Sequence, residues 1–154
     1  MSEFTTQIEI NAPADDVFSY VTDISRMPEY MPTLQDASAV GDGKIRMKGE
    51  VKGHSYDRTG WFQTHEFNRT MLWGSDGDNQ YSGDLEVVDQ HGTSVLHINL
   101  MFGALPDMSD EDRKKLEAHG PQIQQGLDES AAGIKKACEA VFASVSGQSK
   151  GYVS

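Results

Sequence analysis

The chain has 154 residues, with 13 Lys+Arg against 24 Asp+Glu and a formal net charge of −11. That length fits one domain with a single core. That charge argues against nucleic acid, whose phosphates need a basic face, and against an anionic membrane surface.

Residues Phe4 to Ile10 alternate, with Phe4, Thr6, Ile8 and Ile10 on one side and Thr5, Gln7 and Glu9 on the other. Period two predicts a half-buried strand. Asn11-Ala12-Pro13-Ala14-Asp15-Asp16 then carries a helix start: Asn near the cap, Pro in the first turn, acids facing the positive helix end. Val17, Phe18, Tyr20 and Val21 form its apolar stripe. Asp23 is placed to cap a second short helix, which Pro28 and Pro32 confine to about Ile24–Met31.

From Leu34 to Phe102 the pattern is strand, turn, strand. Gly41-Asp42-Gly43 is a turn, and Ile45, Met47, Gly49 and Val51 alternate with charged residues after it. Turns are expected at Lys52-Gly53 and over Glu66–Arg69, Asp76–Asn79 and His91-Gly92. They divide strands over His54–His65, Thr70–Gly74, Tyr81–Val88 and Thr93–Phe102, an antiparallel meander.

Ser109-Asp110-Glu111-Asp112 starts a helix with a capping-box-like pair and first-turn acids. His119-Gly120-Pro121 interrupts it. The final helix carries Ile123, Leu127, Ile134, Cys138, Val141 and Val145 as one stripe. Residues 1–146 are expected to form one domain, and residues 147–154 a flexible tail.

A long amphipathic helix must bury its stripe, and the large partner available is the concave face of the sheet. A curved sheet gripping one helix leaves space between them, and such a space is where small ligands bind.

The N-terminal stretch lacks a basic n-region and an apolar h-region, so no signal peptide is expected. Apolar runs of a few residues fall far below the ~20 that span a bilayer. The single cysteine, Cys138, fits a reducing compartment. The expectation is a cytoplasmic protein, monomeric or homodimeric, without nucleic acid or an integral membrane segment.

Ile8-Glu9-Ile10-Asn11-Ala12-Pro13-Ala14-Asp15-Asp16-Val17-Phe18 is similar to the strand-ending I-x-I-x-A-P-x-x-x-V-F entry of the START-like, or helix-grip, superfamily (SRPBCC). That group includes the polyketide cyclase/dehydrase and lipid transport family. Met27–Pro32 resembles its second-helix segment, and Arg69–Trp73, Tyr81–Val87 and Gly92–Val95 resemble its middle strands. The resemblance covers about residues 3–145. It implies an α+β helix-grip fold: a curved antiparallel sheet of about six or seven strands wrapped around a long C-terminal helix, with two short helices after the first strand. It does not choose a function, since members include binders, transporters, cyclases and dehydratases. Residues Gly103–Gly120 depart from a minimal member by making a longer, acidic connection.

None of His54, His65, His91, His97 and His119 lies in an H-x-x-x-H or H-E-x-x-H arrangement, so no helical metal pair and no metal site is expected. There is no G-x-S-x-G elbow and no phosphate-cradling glycine loop, and no cofactor is expected. His97 should face away from the core, between Leu96 and Ile98. Cys138, on the buried helix stripe, reads as a small hydrophobe.

The strand His54–His65 holds more polar groups than a sheet face usually does. Tyr56, Arg58, Gly60, Phe62 and Thr64 form one alternating set; Asp57, Thr59, Trp61, Gln63 and His65 form the other. Whichever set faces the helix brings polar groups inward, where an unpaired charge is costly. If acid–base chemistry is present, Tyr56, Asp57, Arg58 and His65 are its candidates. An exposed ion pair is the plainer alternative.

Seven Met, two Trp and five Tyr would give a soft, aromatic lining where they face inward. Tyr20, Tyr30, Met31, Met47, Trp73, Tyr81, Ile98, Leu100, Ile123 and Leu127 are the candidate ligand-binding residues. The first expectation is a binder or carrier of a hydrophobic small molecule (lipid, polyketide, quinone or sterol-like). The second is a cyclase, aromatase or dehydratase using the polar strand. The third is a chaperone-like module that binds a partner.

Overall fold

A computed structural model describes residues 2–31, 34–51, 54–75, 81–102, 110–111, 114, 118 and 120–153. Seven strands form one antiparallel sheet: β1 (Ser2–Ile10), β2 (Leu34–Gly41), β3 (Lys44–Val51), β4 (His54–His65), β5 (Thr70–Ser75), β6 (Tyr81–Asp89) and β7 (Ser94–Phe102). Their spatial order is β1-β7-β6-β5-β4-β3-β2. The chain therefore closes its first strand onto its last and leaves β1 and β2 as the two edges. The turns expected at 52–53 and 76–79, and most of the connection at 103–120, lie outside the described residues.

Between β1 and β2 come α1 (Ala14–Val21), a 3₁₀ turn (Ile24–Arg26) and α2 (Met27–Tyr30). Asp23 caps the 3₁₀ turn as expected, accepting hydrogen bonds from the Ser25 amide at 3.2 Å and hydroxyl at 2.6 Å. The start of α1 differs in detail. Pro13 holds the N-cap position without a side-chain bond, while Asp15 and Asp16 face the helix dipole. The Asn11 amide instead donates to Glu139 Oε2 on the last helix at 2.8 Å.

That helix, α3 (Gly120–Val153), lies along β1 and touches α1 and α2. Leu127, Ala131, Ile134 and Cys138 are its buried stripe, with Phe142 packed at the end. Val141, expected in the stripe, is 57% exposed. Phe142, one residue on, takes the packed position at this end of the stripe instead. The backbone stays helical to Val153, through the expected tail at 147–154. Extending a formed helix costs far less than nucleating one, so Gly- and Ser-rich residues can continue it.

Polar side chains of α3 also bind the exposed edge of β1. Gln124 Nε2 donates to the Thr5 carbonyl at 2.9 Å and Lys135 Nζ to the Glu9 carbonyl at 2.7 Å. Thr6 Oγ1 donates to Asp128 Oδ1 at 2.8 Å. The two bonds to carbonyls occupy edge groups that would otherwise be open to strand addition.

Alternation sorts the sheet faces. One row across the inner face runs Phe4, Leu100, Gly83, Trp73, Phe62. The next runs Thr6, Ile98, Leu85, Met71, Thr64, and a third runs Ile8, Leu96, Val87. The outer face is mixed: Asn99 Nδ2 donates to Asp84 Oδ1 at 2.9 Å and His97 sits opposite Glu86 and Gln7, beside the apolar Val88, Val95 and Leu72. The expectation that His97 faces away from the core holds. A smaller cluster of Ile24, Leu34, Ala37 and Ile45 joins the main core through Met27, Met31 and Phe62.

Candidate functional site

Among the described residues, the inner face is fully buried at one end and partly buried at the other. Ile10, Leu96 and Met71 are at most 1% exposed. One row along, Phe4, Leu100, Trp73 and Phe62 are only partly buried, although all are apolar, and Met27 and Met31 join them from α2 and the residue after it. Trp73 lies against Gly83 on the next strand, where a Cβ would overlap the indole. Glycine is required there because the ring uses that space. At Gly60 the two strands run so close that a Cβ would meet the Gly74 carbonyl, which fits a bend in β4.

On the helical side, Tyr20 and Tyr30 pack with ring centroids 5.7 Å apart and tilted by 49°. The Tyr30 hydroxyl donates to the Val21 carbonyl at 3.1 Å. The Tyr20 hydroxyl reaches Glu29 Oε1 at 3.5 Å, and the Arg26 guanidinium lies 5.8 Å from the ring centroid. Burial, with the Glu29 charge, pushes the Tyr20 phenol up to about 12. Burial, with Tyr20 nearby, pushes Tyr30 up as well. Both phenols are therefore neutral hydrogen-bonding groups near neutral pH, and neither is a base. Burial likewise raises the Cys138 thiol to about 11, so it is a packed thiol and not a thiolate.

The polar strand β4 divides between the two faces. Gly60 is buried, Phe62 packs into both cores, and Met47 stands directly across from Arg58. Arg58 is therefore on the inner side. Asp57 and His65 belong to the outer side, and both are exposed. Asp57 accepts two hydrogen bonds from Arg46 there, at 2.9 and 2.7 Å. Among the described side chains, Arg58 is thus set apart from Asp57 and His65, because odd and even positions of a strand diverge. Nothing is described of the Tyr56 side chain. An open groove of about 340 Å³, lined by Gln35, Lys48, Gly49, Ser55 and Asp57, lies at the outer surface of the same hairpin.

Of the candidate ligand-binding residues, Tyr20, Tyr30, Ile98 and Leu127 are buried core. Met31, Met47, Trp73 and Leu100 are partly buried against it. Ile123 is half-buried near the start of α3, outside both core clusters. The Tyr81 side chain lies outside the described residues. Sequence reading did not include Phe4, Phe62 or Met27 in the lining. Phe4 opens the β1 alternation and Phe62 shares its parity with Arg58, so both were within reach of the pattern. Among the described residues, no group of three His, Cys, Asp or Glu is placed to hold a metal ion. No described helix is long and apolar enough to cross a membrane.

A family model described as polyketide cyclase / dehydrase and lipid transport matches residues 1–139. No curated protein matches the chain by sequence. Several solved structures share its fold. The di-domain aromatase/cyclase BexL from the BE-7585A biosynthetic pathway is 19% identical with a TM-score of 0.73. The match covers 88% of this chain and 46% of BexL, so the chain spans about half of that protein. TTHA0849 from Thermus thermophilus is 15% identical, with a TM-score of 0.74 and coverage of 91% and 99%. The ZhuI aromatase/cyclase from Streptomyces sp. R1128 is 17% identical, with a TM-score of 0.69 and coverage of 90% and 93%.

Proposed function

The chain belongs to the polyketide cyclase / dehydrase and lipid transport family, and on that premise we propose that it binds a hydrophobic small molecule between the sheet and α3. The observation that carries this reading is the unsealed apolar row: Phe4, Leu100, Trp73 and Phe62 share one face and remain partly exposed at one end of an otherwise closed core. Apolar surface left in water at a concave site favours an apolar guest, by about 25 cal/mol per Å² removed from water. Met27 and Met31 flank that row with side chains that adapt to irregular shapes.

A second reading, cyclisation or dehydration of a polyketide-like chain, draws on one further observation. Arg58 and Thr64 share the inner parity of β4 with Phe62, so polar groups adjoin the apolar wall. Several structural neighbours are themselves named aromatase/cyclases.

The test is native mass spectrometry of protein purified without denaturation, joined to thermal shifts with fatty acids, quinones, sterols and aromatic polyketides. A ligand present at 100 times its dissociation constant should stabilise by roughly 2.7 kcal/mol. A co-purified apolar molecule or such a shift supports the reading. A bare mass and no shift with any class would overturn it.

A further inference from the structure

β4 is longer than its neighbour on one side. Its pairing with β5 runs from Gly60 to His65, while its pairing with β3 continues back to His54. The β3–β4 hairpin therefore continues past Ser75 of β5, on the side where the apolar row is only partly buried. Met47 and Arg58 face each other across this arm, on its inner side.

Arg58 differs from the other described arginines. Arg26 bridges Asp23 at 3.3 Å, Arg46 bridges Asp57 at 2.7 Å and Arg69 bridges Asp15 at 2.7 Å. Among the described residues the Arg58 side chain makes neither an ion pair nor a hydrogen bond, and it is exposed. The nearby acid, Asp57, is turned to the other face and already bound. Lys44, Arg46 and Lys48 lie on the outer face of the arm, so among the described residues Arg58 is the cation on its inner side. An unpaired guanidinium beside an apolar wall attracts anions locally and leaves neutral guests unaffected. The guanidinium fork suits a planar two-oxygen anion.

We propose that Arg58 is a specificity-determining residue that selects amphipathic ligands bearing an acidic head, a carboxylate above all, with the head at the β3–β4 arm and the apolar tail running inward past Phe62 and Trp73. This rests on the reading that the inner face binds an apolar guest. It adds that the guest is an acid and that it enters tail first. The distance along β4 from Arg58 to Phe62 is about 13 Å at strand rise, so a tail of roughly ten carbons or more is needed to reach the Trp73 row.

The experiment compares dodecanoate with 1-dodecanol, two probes of equal tail length, by isothermal titration calorimetry on the wild type, Arg58→Met and Arg58→Lys. Dodecanoate should bind the wild type roughly tenfold or more tighter than the alcohol, as a charge-assisted pair implies. Arg58→Met should abolish that preference while leaving dodecanol affinity unchanged, and Arg58→Lys should keep part of it. Equal binding of acid and alcohol by the wild type, or an equal loss of both in Arg58→Met, would overturn the role of Arg58 and leave the apolar-guest reading standing. No binding of either probe would overturn the selection of acidic amphipaths, and the apolar-guest reading is decided separately by the wider ligand panel.

Discussion

The indole of Trp73 occupies the space directly against Gly83 on the adjacent strand, closely enough that a single methyl group at Gly83 would overlap it. The tryptophan thus depends on a neighbour with no side chain. Gly83→Ala should displace the ring and cost roughly 1–3 kcal/mol as overpacking does. It should also weaken binding of an apolar guest, because the ring moves into the open row. A thermal melt with tryptophan fluorescence and near-UV circular dichroism checks this; an unchanged melt and spectrum would show that the ring has room to spare.

Two residues seven apart on α3 separate buried stripe from exposed surface. Ile134 is 1% exposed and Val141 is 57% exposed. Ile134→Ala should cost roughly 2–5 kcal/mol, and Val141→Ala should fall within about 0.5 kcal/mol of zero. Urea midpoints measure both. Similar losses from the two would mean that α3 packs in a different rotation.

The paired phenols make stability sensitive to alkali. Tyr20 is raised from 10.0 to about 12 by burial and by Glu29, and burial also raises Tyr30. The folded state holds these protons more tightly than the unfolded chain, so their contribution is complete below pH 10 and is lost as pH climbs toward 12. Unfolding midpoints should be level at pH 8 and fall steeply above pH 10. Tyr30→Phe removes one titrating group and should shallow that fall. It should also lower the midpoint at pH 8, since it deletes the bond to the Val21 carbonyl.

The outer face of β4 offers a control for the inner one. Asp57 pairs with Arg46 in solvent, and His65 is exposed on the same side. Asp57→Asn and His65→Gln should leave ligand affinity and melting temperature unchanged within measurement error. A marked loss of affinity in either variant would place ligand contacts on the side of the sheet away from α3.

Much of this architecture is visible in the residues themselves. The alternation Leu96, Ile98, Leu100 states both that β7 is a strand and which side is buried, because period two has one solution once the apolar set is known. The Asp23 cap and the Pro28 and Pro32 limits are equally local. The candidate site is different. Asp57 and Arg58 are adjacent in sequence, and nothing local says which of them turns inward. That choice is made by Ile45 and Met47 on the next strand, whose apolar parity fixes the register of the pair. Ala131 and Val141 show the same limit on α3. The small residue is buried and the larger one exposed, and apolar character at helical spacing does not distinguish them.

The pairing of β1 with β7 bears on how the molecule reaches this state. Ser2 finds its ladder partner at Phe102, and Thr6 bonds to Asp128 across a separation of 122 residues. Every other neighbouring pair in the sheet joins strands consecutive in the chain except this one. A nascent chain emerging from the ribosome can zip β2 through β7 in order, while its first strand waits for the last strand and for α3. Closure of that long loop is then the natural slow step, since distant contacts form only after their entropy cost has been met. Until it closes, the apolar side of β1, with Phe4, Ile8 and Ile10, has neither β7 nor α3 to cover it, which makes the N-terminal segment the first target for chaperones, or for aggregation, during synthesis.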